Sequence, residues 1–246
     1  MSVEELAIAF VCLALGGIIK GATGAGAPIF AVPALTMMFD VQFAVVVMLV
    51  PNLLTNCWQG WRFRRQRLPM RFNLAFAGLG ATGVVVGSLV LAQLSPRILS
   101  LGVAAAVTVY IAIRLVRPGG FIPFAIAQRI SAPVGFVAGL LQGASGLSAP
   151  VSLAFLNALQ LERPYFISTA SFFFVAITLV QIPTLATLGL MTPHRMLLSG
   201  LALLPLIVFM PVGARIAQRL PRVVFDRVIL VLLGGLAIKL VFDASQ

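Results

Sequence analysis

Acid is nearly missing from this chain: six Asp and Glu stand against 17 Lys and Arg, and charged residues of both signs reach only 9% of 246 positions. Water-soluble domains carry roughly a quarter charged residues, so a fold surrounded by water is excluded. There is one histidine, His194, and the two cysteines, Cys12 and Cys57, sit in separate apolar stretches with no His or Cys at ligand spacing. That pattern excludes a Cys/His metal centre and leaves the thiols as small apolar residues. No GK[ST] follows the glycine-rich stretch near residue 21, and no strand precedes it, so phosphate and dinucleotide loops are excluded too. Neither a metal nor a cofactor is expected. The N-terminus, MSVEELAIAF, lacks a basic leader and a small-residue cleavage site, and reads as a retained helix.

What the chain does have is oil. Hydrophobic residues make up 61% of it, and the mean hydropathy is +1.10. The expectation is an all-α polytopic membrane protein whose main surroundings are the lipid bilayer. At roughly 20 residues per crossing, about eight to ten helical segments fit. The net charge of +11 then marks cytoplasmic loops and not a nucleic-acid partner.

One stretch occurs twice. GIIKGATGAGAP, from Gly17 to Pro28, returns as GLLQGASGLSAP from Gly139 to Pro150, an offset of 122 with six of twelve positions identical. Each copy interrupts an apolar segment with glycines and restarts it at a proline, as a broken membrane helix does. Apolar segments run over 5–21, 28–39, 43–61, 72–94 and 97–116, then over 130–143, 149–160, 164–189, 194–218 and 222–242. The chain thus divides into a repeat over 1–117, a linker over 118–129 and a second repeat over 130–246. The second element of each repeat has about a dozen residues, too few to cross a bilayer, and is expected to be a re-entrant half-helix reaching the midplane.

Five elements is an odd number, so the second repeat is expected upside down relative to the first. Charge agrees with this. With Arg62, Arg64, Arg65, Arg67 and Arg71 inside, Arg114, Arg117, Arg129, Arg163, Arg215, Arg219, Arg222 and Arg227 fall inside as well. Only Arg97, Arg195 and Lys239 fall outside. Both termini, with Glu4, Glu5 and Asp243, are then external, and Pro118-Gly119-Gly120 joins the halves on the cytoplasmic side. Trp58 and Trp61 fit an interfacial belt beside the arginine loop. Pro183, Pro205 and Pro211 are expected to kink their helices.

Lys20 is the one cation that cannot be placed at a helix end. At the bilayer centre it costs about 2.5 to 3.5 kcal/mol on insertion scales, so something must offset it. A small anion would do so, with free N–H groups at the starts of the half-helices aimed at the same point. The candidate binding residues are Lys20, Thr23, Gly24 and Gly26 in the first copy and Gln142, Ser145, Gly146 and Ser148 in the second. Asn52 and Asn56 join them from the third element, and Gln59, Thr169, Ser171, Thr178 and Gln181 are candidates to line the path. Gln142 stands at the Lys20 position of the second copy, so the pocket carries one formal positive charge. The competing structural readings are a snorkelling lysine, glycines that serve tight helix packing, and amides that join helices.

The run Gly143-Ala144-Ser145-Gly146 also matches the GxSG pattern of intramembrane serine proteases. Such a serine needs a histidine base, and the only histidine is expected at the external end of its helix. The duplicated glycine-rich element, the short proline-initiated helix after each copy and the arginine loop after the third element together resemble the TauE/SafE family of sulfite and organosulfonate exporters. The resemblance implies a secondary transporter that exports small sulfur-containing anions, such as sulfite, sulfoacetate or related C2 sulfonates, across a bacterial inner membrane. A homodimer is left open. No carboxylate falls inside a membrane segment, since Asp40 and Glu162 sit at loop ends, so an acid-based proton relay is not visible. Alternating access by rocking of the two repeats is the expected mechanism, with an anion channel as the alternative.

Overall fold

In the computed structural model, which describes residues 2–116, 120–219 and 222–245, with side chains through 2–116, 120–219 and 229–242, the chain forms eleven helices among the described residues. They are α1 (Val3–Thr23), α2 (Ala27–Met38), α3 (Val41–Val47), α4 (Leu49–Arg62), α5 (Met70–Gln93), α6 (Pro96–Val116), α7 (Phe124–Ser145), α8 (Ala149–Ala158), α9 (Arg163–Thr187), α10 (Pro193–Arg219) and α11 (Arg222–Ser245). Seven segments among the described residues are long and apolar enough to cross a membrane, counting Val41–Arg62 as one. In the linker, Arg117, Pro118 and Gly119 lie outside the described residues, as do Pro221 and the side chains of Arg222, Arg227 and Asp243.

Local chemistry accounts for most boundaries. Ser2 opens α1 with a capping box: its hydroxyl accepts from the Glu5 N–H at 3.1 Å, and the Glu5 carboxylate accepts from the Ser2 N–H at 2.8 Å. α1 stops at Gly24, where φ is +82°, and α7 stops at Gly146, where φ is +71°. The breaks are shorter than the expected 21–27 and 143–149, because Gly21 and Gly143 remain helical. α2 and α8 each restart with a proline in the first turn, where a missing N–H costs nothing. With 12 and 10 residues they reach about 18 and 15 Å, half of a bilayer core. Pro183, Pro205 and Pro211 fall inside α9 and α10, as do Pro33 and Pro133 inside α2 and α7.

One expectation needs correction. The segment 43–61 is not a single helix but two, α3 and α4, parted at Met48. Pro51 has no N–H to offer the Val47 carbonyl. Ser199 of α10 supplies the missing donor, its Oγ donating to Val47 O at 2.9 Å and accepting from Val50 N at 3.1 Å. A single buried hydroxyl therefore satisfies both backbone groups that the break frees.

Glycine contacts tie α1 to α10 and α7 to α5. A Cβ at Gly17 would lie 2.6 Å from Leu206 O, and Cβ atoms at Gly21 and Gly213 would be driven into the Met210 and Ile18 carbonyls. In the other pair, Gly139, Gly143 and Gly87 face the Gly80, Val84 and Leu140 carbonyls in the same way. Positions 17, 21 and 18 are thus matched 122 residues on by 139, 143 and 140, and their partners at 206, 210 and 213 by 80, 84 and 87, an offset of 126. Small residues let backbones approach where lipid gives no hydrophobic drive between helices.

Residue numbers rise together in both pairs, so α1 runs parallel to α10 and α5 parallel to α7. α5 also runs with α9, since Phe76 stacks on Phe173 at 4.2 Å and a Cβ at Gly80 would touch Phe173 and Ile177. α10 returns from α9 through the short connection 188–192, so α1 and α7 point in opposite directions. α4 and α9 cross antiparallel, with Gly60 beside Ser171 and Asn52 bonded to Thr178.

Candidate functional site

Lys20 is 1% exposed, one turn before the end of α1. Its Nζ donates to Asn56 Oδ1 at 2.9 Å. Asn56, on α4, is held in turn: its Nδ2 donates to Asn52 O at 2.7 Å and to Asn52 Oδ1 at 2.8 Å. Asn52 Nδ2 then donates to Thr178 Oγ1 of α9 at 3.2 Å. All four side chains are buried. Each amide has its donor end fixed, so an oxygen is what faces the ammonium. The network contains no carboxylate.

Asn52, Gln142 and Gly146 also meet at one cavity, closed by Pro28 at the start of α2 and by Val45, Met48 and Leu49 around the α3–α4 break. The start of one half-helix and the tip of the other hairpin therefore share a wall. The cavity measures about 10 Å³, room for roughly one water. An anion of several heavy atoms is larger than this space.

Other candidates are placed differently. Thr23 Oγ1 is bonded to Ile19 O and to Ala25 O, and Ser145 Oγ donates to Leu141 O at 2.8 Å. Both hydroxyls are bonded to backbone carbonyls at their own helix ends, the common back-bonding of Ser and Thr. Ser148 is buried, with its hydroxyl taken by Ser152 Oγ at 3.2 Å. Gly24 packs under Ile167, and Gly26 starts α2 with φ of +100°. Gln181 Nε2 donates to Gln142 O at 3.4 Å. Gln59, Thr169, Ser171, Gln142 and Gln181 each keep a buried oxygen without a protein hydrogen-bond partner. His194 is exposed at the start of α10, and the bond from Ser145 to Leu141 O does not prepare that hydroxyl for attack.

The contact that Arg163 makes with α1 could not be foreseen from the chain. At the start of α9 Arg163 donates to Gly21 O at 3.4 Å and Ala22 O at 3.2 Å, placing a cation on the negative end of the α1 dipole. Nothing in the chain marked Ser199 or the apolar cavity walls either, and Pro28 was legible as a helix start and not as a cavity wall. Across the molecule, Arg195 lies 3.8 Å from Asp40, a partly exposed pair of little energetic weight. Among the described residues no three His, Cys, Asp or Glu gather into a metal site.

Apolar helices long enough to span a bilayer, interrupted by two short helices and enclosing one ammonium, define a polytopic membrane transport protein. The chain belongs to the sulfite exporter TauE/SafE family, whose model matches residues 8–240. That membership makes it a membrane transporter of sulfur-containing anions and fits a protein that is not an enzyme. No curated protein and no solved structure matches the chain.

Proposed function

We propose that this protein is a secondary transporter that exports sulfite, sulfoacetate or a related C2 sulfonate across the bacterial inner membrane by alternating access. The halves 1–117 and 130–246 are read as inverted copies joined by a cytoplasmic linker, with both termini periplasmic. The substrate is held by Lys20, Asn52, Asn56, Gln142 and the backbone around Gly24, Gly26, Gly146 and Ser148. Thr23 and Ser145 shape the tips through their backbone bonds.

The observation that carries this reading is the burial of Lys20 with a neutral partner. An ammonium in a low-dielectric interior is stabilised best by an opposite charge, and among the described residues its hydrogen-bond partner is an amide oxygen. A substrate anion completes the pair. The unpartnered oxygens along α4, α7 and α9 support an opening seam, since polar faces that are poorly satisfied when closed gain hydration when they part. Lys20→Gln should insert normally and lose at least about tenfold in affinity for sulfite or sulfonates, as read by calorimetry in detergent. Wild-type affinity in that variant removes Lys20 from the site. Single-channel currents in a planar bilayer would replace the transporter with a channel.

A further inference from the structure

We infer that the site selects anions carrying one negative charge, with Asn56 occupying the ammonium of Lys20 until such an anion displaces it. This rests on the proposed anion site and narrows its substrates by charge. Lys20 is the only Lys or Arg among the described residues that is fully buried, and no acid accompanies it in the chain Lys20, Asn56, Asn52, Thr178. Arg163, which reaches the end of the same helix, is exposed and bonded to backbone carbonyls. A monovalent anion beside Lys20 makes the enclosed group neutral. A divalent one leaves a net negative charge in that buried setting, where Lys20 is joined to the cavity only through Asn56 and the cavity residue Asn52, and burial penalises unpaired charge heavily.

Duplication makes the contrast clear. The position matching Lys20 is Gln142, which lines the cavity and has no charge. A basic residue at both positions would make a site for two negative charges, and this chain has half of one. Asn56 is a positioning residue in this scheme. Its Nδ2 is anchored on two Asn52 oxygens, so turning the amide away from Lys20 loses both bonds. The amide oxygen therefore holds the ammonium at a defined point without neutralising it.

The test uses two pairs of ligands of similar size on the purified full-length protein, with binding read by calorimetry and thermal shift. The pairs are methanesulfonate against sulfate, and 2-hydroxyethanesulfonate against sulfoacetate. Each monovalent member should bind about tenfold or more tightly than its divalent partner. Gln142→Lys should reverse the order within each pair. Asn56→Asp, which sets a permanent carboxylate against Lys20, should weaken all four ligands. Should wild type bind the divalent members as well as the monovalent ones while Lys20→Gln binds none, the charge selection is wrong and the anion site stands. Should Lys20→Gln bind all four like wild type, or wild type bind none, the site itself is wrong. If Gln142→Lys does not fold, the wild-type comparison decides alone. Undiminished binding in Asn56→Asp overturns the role given to Asn56.

Discussion

Gly24 and Gly146 end the two long arms with the backbone in the left-handed region, and each is pressed against a helix of the opposite half, Gly24 on Ile167 and Gly146 on Val45. Those two neighbours are themselves 122 positions apart, so the contact is made twice by one rule. Any side chain at 146 must hold the left-handed conformation at a cost of about 1 to 2 kcal/mol. A Cβ there would also lie 3.1 Å from Val45 Cγ2 and 3.2 Å from Val32 Cγ2, closer than these methyls tolerate without moving. Val45 lines the cavity, so the strain is passed to the site. Gly146→Ala should lower the unfolding temperature by several degrees in detergent and weaken anion binding in parallel. An alanine variant that melts later than wild type while binding normally would show that the conformation is not strained and that Val45 does not transmit it.

At the scale of elements, the broken pair α3 and α4 carries Asn52 and Asn56, and Ser199 ties the break to α10, which packs on the Lys20-bearing α1. The ammonium and its acceptor are thereby held to one frame by a serine some 150 residues away from the break. Ser199→Ala would leave Val50 N–H and Val47 C=O unpaired in an apolar setting, at about 1 to 3 kcal/mol for each buried group. A drop in stability of about 2 to 6 kcal/mol for the two groups together is expected from reversible unfolding in mild denaturant. No drop would mean that the break satisfies itself. This joint also shows where reading the chain stopped working. The half-helices were legible because Gly-to-Pro punctuation acts within a few residues, and Lys20 because one cation in an apolar run is conspicuous. The α3–α4 break was not, since Pro51 alone leaves open whether the helix kinks, splits or continues, and the answer comes from a distant hydroxyl. Val45, Met48 and Leu49 were hidden for a different reason: apolar residues in an apolar segment show no pattern that separates a cavity wall from a lipid-facing surface. That the Thr23 and Ser145 hydroxyls bond carbonyls one turn back was not legible either, because a hydroxyl can turn to its own helix or away from it.

For the whole molecule, the deciding question is what drives the anion out. Among the described residues Lys20 is the only charged side chain that is fully buried, bonded to Asn56 and through it to the cavity residue Asn52. The acids Asp40 and Glu162 sit at helix starts, where Asp40 caps α3 by accepting from Phe43 N at 2.6 Å. Among the described residues the Lys20 network holds no carboxylate that could serve as a relay for a coupled cation. A monovalent anion needs none. Leaving an inside-negative compartment, it gains about 2.3 kcal/mol per 100 mV, which is a roughly fiftyfold bias at equilibrium. On the proposed alternating-access reading, the oppositely directed arms α1 and α7 would enclose the anion between their tips, and opening would undo the Arg163 contacts at the end of α1 or the Asp40–Arg195 pair. Purified protein in vesicles loaded with a monovalent sulfonate should therefore release it faster when the interior is made negative and slower when it is made positive. The ratio should grow with the imposed potential and vanish in Lys20→Gln. Release indifferent to potential in the wild type would mean that another ion moves with the anion and cancels its charge. The binding site would survive that result, and the driving force assigned to it would not.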